Sequence, residues 1–352
     1  MSDDYLWDRS GPPDPQIEAL ERRLAPLRLQ RRAAPKAAPP RVRARAAWLA
    51  LAAALLAAPL LLLNSQFGRT PAPAPQVAFV ENRFVVELLE GSAAAAIFAP
   101  GSKQATETSL APGASQIPEG AELVCEMGAR VRVRVADLGD VTLEGPAHLR
   151  LERSSADLQK LFLERGIVRA SISPDAKPRL FQVGTPVGTA VDMGCRYTME
   201  VRDDGATELR VQLGRVHFEI EGSPLFLRSG ASCFVRRVAT KGGSIAAATT
   251  PVYEDAPDLV RKTLAAFDFA VTHEERASTL KSFLTHARFE EAVSVWHILV
   301  REPLAPLRSL AFDELARLSP PPEGVDRATC VDGSGPARDA QLEKWRLDLM
   351  GW

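Results

Sequence analysis

Apolar and polar positions change rhythm three times along the 352 residues. From Ala46 to Leu63 there is no alternation at all, only AAWLALAAALLAAPLLLL, eighteen residues without a charge. At 1.5 Å rise per residue such a helix reaches roughly 27 Å, enough to cross a hydrocarbon core. A core helix of a soluble domain shows polar positions on one side, and a cleavable signal has a short region in front of its apolar stretch. This segment has neither feature, since 45 residues precede it. The pattern predicts one transmembrane helix over 46–63, in which Pro59 is tolerated better than in a soluble helix.

From Val77 to about Val238 the period shortens to two. Arg130-Val-Arg-Val-Arg-Val135 puts valines on one face and arginines on the other. Short alternating runs follow at 141–143, 148–151, 161–163, 167–172, 181–183, 196–201, 208–213, 215–220 and 225–227. Turn signals separate them, among them Glu144-Gly-Pro146 and Asp203-Asp-Gly205, and Asp204-Gly205 reads as a hairpin turn. Strands this closely spaced predict an all-β sandwich, barrel or solenoid over 77–238. Glycines 128, 166 and 214, each followed by a strand with valine near its start, hint at stacked repeats.

After residue 254 the period becomes helical. Leu259, Leu264, Phe267 and Val271 mark one helix behind the N-cap candidate Asp258. Segments 274–286, 289–300 and 304–318 suggest three more, and 339–352 a last one, with Trp345 and Trp352 as packing residues. Short connections predict a small antiparallel α-helical domain over 254–352. Residues 239–253 read as a linker. Residues 64–76, with alternating proline from Thr70 to Pro75, read as a polyproline spacer.

Charge gives these segments an orientation. Overall the chain carries −1, too little basic excess for a general nucleic-acid binder. Residues 1–45 hold ten bases and six acids, the bases crowding toward the apolar segment, whereas 64–82 hold a single base, Arg69, and one acid, Glu81. An excess of Lys and Arg on one flank predicts that this end stays in the cytoplasm. The expected topology is a single-pass inner-membrane protein, N-terminus inside and the bulk of the chain in the periplasm. In the tail, Asp14-Pro15 opens a short helix whose stripe is Ile17, Leu20 and Leu24, ended by Pro26. Together with Trp7 this stripe is the candidate contact for a cytoplasmic partner. A tail that is disordered until it meets one is the competing reading.

The run Phe181-Gln-Val-Gly-Thr-Pro-Val-Gly-Thr-Ala-Val-Asp-Met-Gly194 resembles the F-x-V-x-T-P…G-T-x-F-x-V pattern of the FecR (ferric-citrate regulator) domain family. Leu163-Glu-Arg-Gly166, Val211-Gln-Leu-Gly-Arg-Val216 and Leu227-Arg-Ser-Gly-Ala231 resemble its other glycine steps. The likeness spans roughly 110–236, and a single N-in span ahead of the domain is also the family's arrangement. Cys195 stands where the family has threonine, and the tail is shorter than in members that act on sigma factors. The resemblance implies a non-catalytic regulator of anti-sigma-factor type. Its exported FecR-like domain, sandwich or solenoid-like, would receive a signal from a periplasmic protein, and its tail would act on a sigma factor.

No residue pattern argues for catalysis. The five histidines do not cluster with acids or cysteines at ligand spacing, and GxSxG, HExxH and phosphate-loop motifs are absent. Gly184 to Gly188 fits a β-turn better than a nucleotide loop. His217 reads as a strand-face residue, and Trp296-His297 as core. Neither metal nor cofactor is expected. Of the four cysteines, Cys195 and Cys233 fall within the β region, where a disulfide between them competes with two buried free thiols. Two functions remain: a transmembrane signalling regulator, or an envelope protein- or glycan-binding scaffold whose tail is only a membrane signal.

Overall fold

The computed structural model describes residues 82–98, 104–221, 224–240 and 243–351. The tail with Trp7, Ile17, Leu20 and Leu24, the apolar segment 46–63, the spacer 64–76 and Trp352 lie outside the described residues. Among the described residues no helix is long and apolar enough to cross a membrane.

The β region begins with β1 (Arg83–Glu90), β2 (Ala93–Phe98), β3 (Ala105–Ser109), β4 (Gly113–Pro118), β5 (Glu122–Cys125) and β6 (Arg130–Val135). Two long strands follow, β7 (Gly139–Ser154) and β8 (Gln159–Ile172). Then come β9 (Phe181–Thr185), β10 (Gly188–Asp192), β11 (Arg196–Val201), β12 (Thr207–Leu213), β13 (Arg215–Glu219) and β14 (Leu225–Arg228). The last are β15 (Ala231–Thr240), β16 (Gly243–Ala248) and β17 (Val252–Tyr253).

Their pairings resolve into two layers. One runs β4-β1-β6-β7-β8-β11-β12-β15-β16, with β17 on the start of β15. The other runs β3-β2-β5-β7-β8-β9-β10-β13-β14. Every pairing is antiparallel except β8 with β9. β7 and β8 belong to both layers. The first half of β7 pairs with β6 and the second with β5, and the change of partner falls at Gly145-Pro146. No side chain fits there, because a Cβ on Gly145 would lie 1.9 Å from the Glu126 carbonyl oxygen. β8 turns opposite it at Gly166, whose φ of +102° and 2.3 Å approach to the Ala147 Cβ both exclude larger residues.

The alternation read from the sequence sorts side chains between the interior and water. Val131, Val133 and Val135 are fully buried beside Leu143, Leu149, Leu151, Leu161 and Leu163. The intervening arginines point outward, where Arg130 meets Glu90 and Arg132 meets Glu87 at 2.9 Å. The Asp204-Gly205 hairpin joins β11 to β12 as expected, with the Gly205 amide donating to the Arg202 carbonyl. Residues 239–253, expected as a linker, instead complete β15 and contain β16 and β17. Their alternation was invisible because Gly243-Ser-Ile-Ala-Ala-Ala248 offers almost no contrast between large apolar and polar side chains.

Among the described residues after β17, six α-helices and one 3-10 turn (Phe289–Glu291) follow: α1 (Asp258–Phe269), α2 (His273–His286), α3 (Ala292–Arg301), α4 (Ala305–Leu318), α5 (Arg327–Asp332) and α6 (Pro336–Met350). α2 starts on a capping box, Thr272 Oγ1 accepting from the Glu275 amide while Glu275 accepts from the Thr272 amide. The buried stripe of α1 is Val260, Leu264 and Phe267. Leu259 and Val271, assigned to that stripe from spacing, are 47% and 91% exposed. Asp258 is the first helical residue, not the cap, and its carboxylate pairs with Arg261. Trp345 is fully buried, edge-on to Phe312 at 5.2 Å.

Candidate functional site

The helical domain meets the β layers along one face of α3, with further contacts from α1 and α6. Ser294, His297 and Arg301 follow one another at spacings of three and four, so α3 presents all three on one face. Ser294 Oγ donates to the Pro251 carbonyl at 2.6 Å. Arg301 donates to the carbonyls of Ala248, at the end of β16, and Thr249. His297 Nε2 lies 3.0 Å from the Phe226 carbonyl and 3.3 Å from its amide. Phe226 belongs to β14, which ends its layer, and the imidazole occupies the place of the next strand. An end strand otherwise leaves its amides and carbonyls bare. Burial of the ring pushes the His297 pKa down to about 3, so it is neutral at physiological pH.

Charged groups are buried around this seam. Asp268 of α1 accepts from the Thr250 amide at 2.8 Å and its hydroxyl at 2.7 Å, and burial raises its carboxyl above the usual range. Desolvation lowers the Arg301 guanidinium from its ordinary value. Arg276 donates to the fully buried Glu302 carboxylate at 2.7 Å and lies over the Phe267 ring.

Beside the seam is a cleft of about 320 Å³ between β13, β14 and α6. Its floor is an aromatic stack, with the His217 ring 4.3 Å from Phe226 and nearly parallel to it. The Arg346 guanidinium lies 3.9 Å from the Phe226 ring centre and is held by Glu343. Met193, Leu347 and Met350 supply apolar walls. Arg179 and Arg215 complete the lining; Arg179 reaches Glu219 at 2.7 Å and Arg215 donates to the Met350 carbonyl at 2.8 Å. Desolvation lowers the His217 pKa, and its Nε2 has no hydrogen-bond partner among the described residues.

The cysteines singled out from the sequence lie apart. Cys195 immediately precedes β11 and Cys233 lies in β15, on opposite sides of β12. Two strand spacings alone amount to roughly 10 Å, beyond the reach of a disulfide, and along β12 Cys195 lies beside Gly214 whereas Cys233 lies opposite Leu209. All four cysteines are free and buried. Cys195 Sγ instead donates to Asp192 Oδ2 at 2.7 Å, and the Gly194 amide donates to Oδ1 at 2.6 Å. Burial nevertheless pushes Asp192 up to about 6 and Cys233 up to about 12, and the Cys195 thiol well up. His148, unclustered in sequence, lies between Glu122 at 3.0 Å and Glu164 at 2.9 Å across three strands. Among the described residues no group of histidines, cysteines and acids is arranged to hold a metal ion.

Trp296 and His297 are buried, as their apolar surroundings in the sequence predict, but the polar contacts of the α3 seam are not visible in that pattern. The signal available was the 294-297-301 spacing of polar residues on an otherwise apolar helix.

Comparison with known proteins places a family on this geometry. Residues 121–217, from just before β5 into β13, match the family model FecR protein. No curated protein matches the chain. Two crystal structures of a candidate anti-sigma factor from Parabacteroides distasonis ATCC 8503 are similar at 19% identity and a TM-score of 0.31. The similarity covers 41% of this chain and 64% of that one, so this chain spans less than two thirds of that protein's length.

Proposed function

We propose that the chain is a single-pass inner-membrane signalling regulator rather than an enzyme. The observation that carries this reading is the FecR family match at 121–217, following a charge-free apolar segment with arginines on its N-terminal side. In this reading 46–63 spans the membrane and the β and helical regions lie in the periplasm, where a protein partner delivers the signal. The tail, through Trp7, Ile17, Leu20 and Leu24, acts on a cytoplasmic regulator of sigma-factor type. A lone helix has no second packing of its own, so the signal crosses by proteolysis, clustering or partner rearrangement.

Two experiments test it. Reporter fusions after residue 30 and after residue 351 should be active only in the cytoplasm and only outside it, respectively; the opposite pattern removes the topology. A sigma factor should co-purify with the full chain and be lost on Trp7→Ala with Leu20→Ala. If deleting residues 2–30 leaves both insertion and phenotype unchanged, the tail is only a membrane signal and the chain is a scaffold.

A further inference from the structure

A second concavity lies over β2, at the opposite end of the layer that finishes at β14. Ala94 of β2 sits opposite Ser109 of β3 and Val124 of β5, and Ala96 sits opposite Glu107 and Glu122. Residues directly opposite share a face of the sheet, so two alanines floor a trough whose banks are the longer side chains of both neighbouring strands. The Glu126 amide donates to the Ser92 carbonyl at 3.1 Å, which continues the pairing beyond β5 and sets Glu126 beside Ser92. The trough measures about 390 Å³, within the range of small-ligand pockets, and Leu88 and Leu110 add apolar wall. Glu107 and Glu126 stand toward its two ends, their backbones about 16 Å apart by strand rise and spacing. Glu122, between them, is taken by His148 at 3.0 Å. The Glu107 and Glu126 carboxylates, in contrast, have no ion pair or side-chain hydrogen bond among the described residues, and neither do the Ser92 and Ser109 hydroxyls. No basic side chain lines the trough among the described residues.

We infer that this trough binds a linear diammonium ion, two amino groups joined by a short methylene chain. An ammonium carries three donors and no acceptor, so each end of such a molecule suits a carboxylate with a hydroxyl near it. The methylenes lie along Ala94 and Ala96, against Val124, and leave water as they do so. One exposed ion pair contributes little by itself. A chain that carries both charges makes the second contact intramolecular once the first has formed, so it gains where two separate amines do not. Every lining residue belongs to the β region or its turns, and the inference does not depend on the regulator reading.

The test is calorimetric titration of the full chain in detergent micelles at about 0.15 M salt, where long-range attraction between exposed charges is screened. 1,5-Diaminopentane should bind at least tenfold more tightly than 1-aminopentane, which has the same chain and one charge. 1,3-Diaminopropane, two methylenes shorter, should bind about tenfold more weakly than 1,5-diaminopentane. Glu107→Gln and Glu126→Gln should each weaken binding at least fivefold, whereas Glu323→Gln, exposed between α4 and α5, should change nothing. Ala94→Leu, which raises the floor, should abolish binding. Circular dichroism melts report whether each variant folds, and the two glutamine variants, which keep the shape of the side chain, decide the matter if Ala94→Leu does not. The inference is overturned if no saturable binding is seen up to about 10 mM 1,5-diaminopentane, if the monoamine or the shorter diamine binds as tightly, or if either Glu107→Gln or Glu126→Gln binds like the parent. Failure here leaves the topology and sigma-factor tests untouched.

Discussion

His297 gives the α3 seam a pH dependence that can be calculated. Its imidazole is fully buried and its pKa is pushed from 6.5 to about 3. Below pH 6.5 the unfolded chain takes up a proton that the folded chain refuses, so this group removes stability as pH falls, down to about pH 3. At about pH 5, one and a half units below 6.5, the loss is about 2 kcal/mol at roughly 1.36 kcal/mol per unit. At about pH 7 it is only a few tenths. His297→Gln removes the titration while leaving an amide able to donate to the Phe226 carbonyl. Urea unfolding of the full chain and the variant, followed by tryptophan fluorescence at several pH values between about 7.5 and 5, reads the difference. The variant should be less stable at neutral pH, and its deficit should shrink by about 2 kcal/mol by pH 5. Groups common to both proteins cancel in that difference. Parallel curves across the range would refute a neutral, desolvated ring closing β14.

Asp192 works in the opposite sense. Its folded pKa is raised to about 6 from 3.8, so the wild type gains stability as pH falls through that interval. Asp192→Asn should therefore lose about 1.4 kcal/mol relative to wild type between roughly pH 7 and pH 5 in the same urea series, and no relative change would contradict the buried carboxylate. Gly166→Val forces a side chain into Ala147 at a φ of +102°, and should destabilise the β region by about 3 kcal/mol or more. An unchanged melting temperature would remove the proposed turn between layers. Iodoacetamide should alkylate all four cysteines in denaturant without reductant, and none before unfolding. Only two modified thiols would mean a bridge.

The sequence was most informative where burial alone decides a position. Val131, Val133 and Val135 alternate with arginines because one face of β6 meets the interior and the other meets water. Period-two runs in 148–151 and 161–163 were equally plain, yet β7 and β8 each looked like two short strands. Glu144-Gly-Pro146 has the composition of a turn, and only the pairing shows that the chain bends there without reversing. The stripe expected for α1 shares Leu264 and Phe267 with the buried set, but Leu259 is exposed and Val271 lies beyond the end of the helix, because exposed apolar residues flank the buried ones. α5 has only six residues, too few for periodicity to show. The α3 seam was beyond local reading altogether: His297 matters because of a backbone carbonyl 71 residues earlier. The cleft likewise joins residues from β13, β14 and the last helix, which no spacing rule connects.

The shared ownership of β7 and β8 limits how this molecule can move. Two sheets stitched by a pair of continuous strands cannot slide past one another or swing apart like the covers of a book without tearing hydrogen bonds along both seams. A push on one face must therefore displace the helices or carry the whole β body as a single rigid piece.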